Sequence, residues 1–197
     1  MQRSAKLQTF FDALYQSFAR AKPSAEVTAL AEKLFTRLEV PGDQHAPQPQ
    51  NLPVCRFLQP AIDSAVDSGG ATAKLATALG DITPQLAWTP IPSYTEREDT
   101  LTDRRANAEV VGSRGLELRQ DIRIGVSLLA PHSLYPDHQH PPEEIYAVLS
   151  PGQWRQENGP WHSPGIGGTV HNTPHIVHSM RSASAPLLAV WCLWKGE

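Results

Sequence analysis

A change of hydrophobic period near the middle of the chain restricts its possible folds more than any other feature. Up to about residue 80 the apolar residues recur at three- and four-residue intervals, and from about Ala108 onward they gather in short β-prone runs. Leu7, Phe10, Phe11, Leu14, Tyr15 and Phe18 mark one amphipathic helix. Val27, Leu30, Ala31, Leu34, Phe35 and Leu38 mark a second, opened by Pro23-Ser24. The Pro-, Gln- and Asn-rich stretch 42–53 reads as a loop. Phe57, Leu58, Ala61, Ile62 and Ala65 predict a third helix, with Pro60 either kinking it or sitting in its first turn. A short helix through Leu75 and Leu79 is expected to end on Gly80 as its cap.

In the second half, residues 121–129, 145–149 and 187–194 form β-prone runs separated by Pro and Gly clusters. The expectation is a mainly β chain: one small antiparallel, jelly-roll-like barrel over residues 91–197, with a helical N-terminal extension over residues 1–90 packed on it. Packing is the simplest role for the helices, and a lid is the alternative.

The balance of 17 basic against 20 acidic residues argues against a nucleic-acid partner or an anionic membrane surface. The N-terminus lacks the apolar core of a signal peptide, and no run approaches the roughly 18 apolar residues of a membrane span, so a cytoplasmic protein is expected. Cys55 and Cys192 are far apart and form no CxxC pair, which argues for buried thiols over a disulfide framework or a thiolate zinc site.

Seven of the eight histidines fall between His132 and His178, about a quarter of the chain. His138 and His140 stand two apart, so on a strand they share a face, as do Glu144 and Tyr146. Pro141-Pro142 between the pairs removes two ladder donors and requires a bend, which can aim Glu144 back at the histidines. A third imidazole from a distant strand would complete a His/carboxylate site suited to Fe, Mn, Zn, Ni or Co, with a position left open for substrate. His178 is preferred over His175, which strand alternation would turn to the other face. Glu144 is preferred over Glu143 because it shares parity with Tyr146. His45, His132, His162 and His171 read as surface or capping residues. Trp191 and Trp194 read first as core anchors, and Tyr135 and Tyr146 also admit a packing role.

The spacing His138-x-His140-x-x-x-Glu144, with His178 34 residues later, resembles the two split motifs of the cupin superfamily. Gly152 lies near the glycine that closes the first motif, and Gly167 matches the glycine of the second. Thr173, His175 and Ser182 depart from that second motif's Pro, Gly and Asn. Within cupins, Tyr135, Tyr146 and the Trp-rich end LLAVWCLWKGE resemble the small bacterial dimethylsulfoniopropionate (DMSP) lyases of the DddQ and DddW kind, most strongly over the last 90 or so residues.

That resemblance implies one divalent transition metal on His138, His140, Glu144 and His178, with Tyr146 as the base. It also implies Tyr135 and Trp191 as an aromatic wall for the sulfonium, and β-elimination of DMSP to dimethyl sulfide and acrylate in a monomer or homodimer. The alternatives are another metal-dependent cupin enzyme, a dioxygenase or isomerase, and a non-catalytic metal- or small-molecule-binding cupin.

Overall fold

The computed structural model describes residues 3–91 and 98–196. The first helix, α1 (Ala5–Arg20), and the second, α2 (Ala25–Leu38), are each opened by a serine whose hydroxyl accepts from the third amide onward: Ser4 from Leu7 and Ser24 from Val27. Their apolar stripes are buried as the period predicts, except that Tyr15 stays 37% exposed and rests its ring at 5.1 Å on Phe35, itself only partly buried. In α3 (Leu58–Asp67) Pro60 occupies the first turn, where its missing N–H costs nothing.

The next helix, α4 (Gly70–Ile82), corrects one expectation. Gly80 does not cap it; the helix continues to Ile82, and Thr83-Pro84 opens the 3-10 turn that stops it. Gly80 instead lies inside the helix against Ile62, where an added Cβ would come within 3.9 Å of that side chain. A fifth helix, α5 (Glu98–Arg104), leads into the barrel.

The strands are β1 (Asp43–Gln44), β2 (Trp88–Pro90), β3 (Arg105–Gly112), β4 (Glu117–Leu118), β5 (Ile122–Leu129), β6 (Leu134–His138), β7 (Glu143–Val148), β8 (Gln153–Gln156), β9 (Thr169–Asn172), β10 (His178–Arg181) and β11 (Leu187–Trp194). The large sheet runs β1-β4-β3-β5-β11-β7-β9 with β2 beside β3, and the small sheet runs β6-β10-β8. This is the cupin barrel preceded by helices. By content the chain is mixed, 35% helix and 31% strand. Two expectations shift: stretch 42–53 is not all loop, since β1 joins the sheet edge, and β2 also pairs ahead of Ala108, beside β3. The expected division at residue 90 falls just before residues 92–97, which lie outside the described ones.

The large sheet is buried on both faces, and this explains its unbroken apolar runs. Ile122, Ile124, Val126 and Leu128 of β5, Ile145 and Ala147 of β7, and Leu188, Val190 and Cys192 of β11 join the core formed with the helices. Tyr146 and Val148, together with Leu187, Ala189, Trp191 and Leu193, form a second core inside the barrel. Each large aliphatic side chain so buried contributes about 1.5–3 kcal/mol. Cys192 is buried, Cys55 is half-buried, and both are free thiols. At the barrel's end the buried Glu117 carboxylate accepts from Arg3 (2.7 Å) and from the Gly42 amide (2.9 Å), tying the N-terminus to the sheet.

Candidate metal centre

Pro141-Pro142 sits where the chain leaves the small sheet at β6 and enters the large one at β7, so the expected bend is a crossing between sheets. His138 ends β6, and His178 opens β10 directly opposite it. Glu144 and Tyr146 point into the barrel from β7, across from Leu193 and Trp191 on β11. The potential ligands therefore come from both sheets.

Among the described residues, His140, Glu144 and His178 form a cluster whose ligand atoms lie within 4.8 Å of one another. Glu144 Oε2 is 3.3 Å from Nε2 of His140 and 3.3 Å from Nε2 of His178. His138 stands beside this trio rather than in it: its ring stacks on Tyr135 at 4.0 Å and meets the His178 ring at 4.1 Å. His175, the rival of His178, is exposed in the turn before β10 with φ 63°, so it is not on a strand at all. Glu143 lies on the opposite face of β7 and pairs with His171 at 2.7 Å. His45, His132 and His162 are exposed.

The donor set fits a metal ion. Nδ1 of His138, His140 and His178 lies 2.9 Å from the carbonyl of Pro136, Pro142 and Ile176 respectively. A carbonyl only accepts, so each imidazole carries its proton on Nδ1 and presents the Nε2 lone pair. The Nε2 atoms of His140 and His178 are buried and have no hydrogen-bond partner, although a carboxylate oxygen is close to both. Two orphaned lone pairs converging on one carboxylate are what a cation would satisfy.

Protons compete for the place a metal cation would take. Burial alone would raise the Glu144 carboxyl, but the two imidazoles beside it, in their protonated form, hold it down at about 2. Burial works against a charged His140, yet Glu144 and the Pro142 carbonyl outweigh it and raise its pKa. His138, with burial and the neighbouring His178 against its cation, falls to about 4. Tyr135 is pushed up to about 12, chiefly by burial. Burial also drives Tyr146 well above a free phenol, and the Glu144 charge adds to it.

Tyr135, His138, His140, Glu144, Tyr146 and Trp191 line one cavity of about 100 Å³. Sequence reasoning missed three polar residues that share its wall: Asn107, Arg123 and Ser127. The available signal was parity, since on β5 Arg123 and Ser127 interrupt the apolar run at positions that face the barrel. Arg123 is anchored by Glu109 (2.7 Å) and lies 5.5 Å above the Trp191 ring. The Trp191 indole fits because Gly125 lies opposite; a Cβ there would come within 2.1 Å of the ring. Trp194 faces the helices, with the Lys33 ammonium 4.2 Å from its ring centre.

Fold and site together define a cupin whose His/Glu cluster can hold a metal. The chain belongs to the dimethylsulfoniopropionate lyase family, whose profile matches residues 26–189. It is 27% identical over 150 residues to a Cereibacter sphaeroides protein provisionally named dimethylsulfoniopropionate lyase DddL, a match covering 76% of this chain and 62% of that protein. This chain thus spans about 62% of the length of that curated relative. Two crystal structures share the fold. One, described as of DMSP lyases RdDddP and RnDddQII, matches with TM-score 0.70 and 24% identity, covering 96% of this chain and 92% of that one. The other, DMSP lyase DddQ from Ruegeria pomeroyi DSS-3, matches with TM-score 0.66 and 22% identity, covering 95% and 91%. Among the described residues no helix is long and apolar enough to cross a membrane.

Proposed function

We propose that this chain is a metal-dependent carbon–sulfur lyase that splits DMSP into dimethyl sulfide and acrylate by β-elimination. The observation that carries this reading is the largely buried His140/Glu144/His178 cluster, its Nε2 lone pairs turned inward, with His140 and Glu144 lining the same small cavity as Tyr146 and Tyr135. Family membership supports the substrate.

Held by His140, Glu144 and His178, a divalent ion would supply Lewis acidity to the substrate carboxylate and oppose the effects that keep the neighbouring phenol protonated. Tyr146 takes the proton α to the carboxylate. The C–H electron pair becomes the new C=C bond, the C–S bond breaks with its pair going to sulfur, and the proton passes from Tyr146 to water. No redox partner is needed. The dimethylsulfonium group has a fixed charge and no N–H or O–H donor, so an aromatic face is its natural receptor, worth about 0.5–2 kcal/mol. Tyr135 is preferred over Trp191 in that role: the cation over the indole is the Arg123 guanidinium, which would repel a sulfonium, whereas the ring stacked on Tyr135 is the His138 imidazole, whose cation is disfavoured. Tyr146 is buried and Tyr135 half-buried against it, so the reacting phenol is largely withdrawn from solvent.

The test is to incubate metal-reconstituted protein with DMSP and assay headspace dimethyl sulfide, acrylate and dissolved oxygen together. Equal amounts of the two products without oxygen uptake are expected. No gas above an uncatalysed control, or turnover that consumes oxygen, would move the reading to another cupin reaction.

A further inference from the structure

The ligands of the candidate centre sit on two different sheets, so something must set the carboxylate of one against the imidazole of the other. Glu144 belongs to β7 of the large sheet, and its cross-strand neighbour on β9 is Asn172. His178 belongs to β10 of the small sheet, and its cross-strand neighbour on β8 is Gln156. These two neighbours meet: Gln156 Nε2 donates to Asn172 Oδ1 at 2.7 Å. Asn172, fully buried, donates from Nδ2 to Glu144 Oε2 at 2.8 Å, the same oxygen that lies beside both histidines.

The polarity of this chain is fixed at both ends, since the His171 carbonyl and the ionised Glu144 carboxylate can only accept. The backbone carbonyl of His171 accepts from Gln156 Nε2. It therefore turns the glutamine's NH2 toward β9, where the same nitrogen meets the Asn172 oxygen. That in turn leaves the Asn172 NH2 facing Glu144. An isolated side-chain amide presents its oxygen as readily as its nitrogen; here acceptors at both ends of the chain fix the orientation.

We infer that Gln156 and Asn172 are positioning residues for the metal centre: a side-chain clip across the two sheets that holds Glu144 Oε2 toward His140 and His178 and keeps a donor against it. Neither residue lines the cavity, so neither is a candidate for contact with substrate. The inference rests on the metal reading above. It extends that reading by saying why the carboxylate is pre-aimed, and partners of metal ligands commonly govern affinity as strongly as this implies.

The experiment titrates chelator-treated full-length protein with Co2+ alone and follows affinity by chelator competition and the visible spectrum of the bound ion. Gln156→Glu is nearly isosteric and half-exposed, so it should fold; metal-free melting checks this. Its carboxylate cannot donate to the His171 carbonyl or the Asn172 oxygen, so the Asn172 NH2 can face only one of two carboxylates and oxygen meets oxygen at the other, which disturbs the hold on Glu144. Co2+ affinity should fall by about tenfold or more, with a changed visible spectrum, although residue 156 touches no ligand side chain. Asn172→Leu should cost about 10–100-fold, and the double variant no more than Asn172→Leu alone, because both act through one amide. Gln156→Glu binding Co2+ within about twofold of wild type, or losses that multiply in the double variant, would overturn the clip while leaving the metal site standing. Wild-type protein that binds no Co2+ would sink both.

Discussion

Along β7, Ile145 and Ala147 point into the helical layer while Glu144 and Tyr146 point into the barrel, one peptide away. β5 and β11 repeat the division: Leu128 and Val190 face the helices, and Ser127 and Trp191 face the cavity. The outer face is mainly apolar and covered by α1 to α3, the Glu143–His171 pair apart, whereas the inner face turns polar toward the small sheet. The same strands therefore carry the main core on one side and, in the proposed function, the chemistry on the other. Because the side-chain period is two, neighbouring residues belong to different functions, and substitutions at adjacent positions should separate them cleanly.

The largest expected effect lies on the inner face. Tyr146→Phe keeps the ring packed against Trp154 and deletes only the oxygen. Folding and metal content should survive, while the rate of dimethyl sulfide release falls by about 10²–10⁴, the usual cost of a lost general base. Activity within about threefold of wild type would assign proton abstraction to another group.

On the outer face, Leu128→Ala should do the reverse. Leu128 is fully buried between sheet and helices, and its truncation should cost about 2–5 kcal/mol in denaturant unfolding. Metal affinity and turnover of the folded fraction should stay near wild type. A large loss of metal affinity without loss of stability would break the separation of the two faces.

A smaller inner-face effect is expected at Tyr135. Tyr135→Ala should raise KM by several-fold, about what a cation–π contact supplies, and change kcat less. A kcat loss at unchanged KM would give that ring a chemical role.

The smallest effect belongs to the rim that ties α2 to the barrel. Asp121 is held far below the usual carboxylate range, first by its hydrogen bond from Arg119 and then by Arg37, against the pull of burial. A folded-state pKa below the unfolded 3.8 means stability that is fully present above 3.8 and lost as pH falls from there through the lower folded-state pKa. Asp121→Asn should thus melt slightly lower than wild type at neutral pH, and the difference should shrink as pH falls below 3.8. The pair is partly exposed, so salt should weaken the effect. A difference that grows on acidification would contradict the sign.

How much of this was legible in the sequence follows from the range of the interactions. α1 and α2 were readable because period and serine caps are local. The His140/Glu144 pair was readable because a two-sheet crossing at Pro141-Pro142 leaves a mark in the text. β1 and β2, at two and three residues, are too short to show a period, and they exist only because a sheet edge is there to receive them. Gly80 misled because a glycine in a well-packed helix looks like a stop. The run 187–194 is apolar on both faces, so its parity could not say that Trp191 faces the cavity and Trp194 the helices. Gln156 and Asn172 left no trace, since their meeting depends on which strands from opposite sheets come together.

The most direct test is metal stoichiometry in wild type and His178→Ala, measured on chelator-treated protein refilled with one divalent ion and dialysed. His178 is 2% exposed and lies in the ligand cluster, whereas His175 is exposed outside it. Wild type should retain about one ion per chain, and His178→Ala should lose most of it while keeping the secondary structure of the metal-free protein. Full occupancy in His178→Ala would contradict the assignment of the inner face as a metal centre built from both sheets.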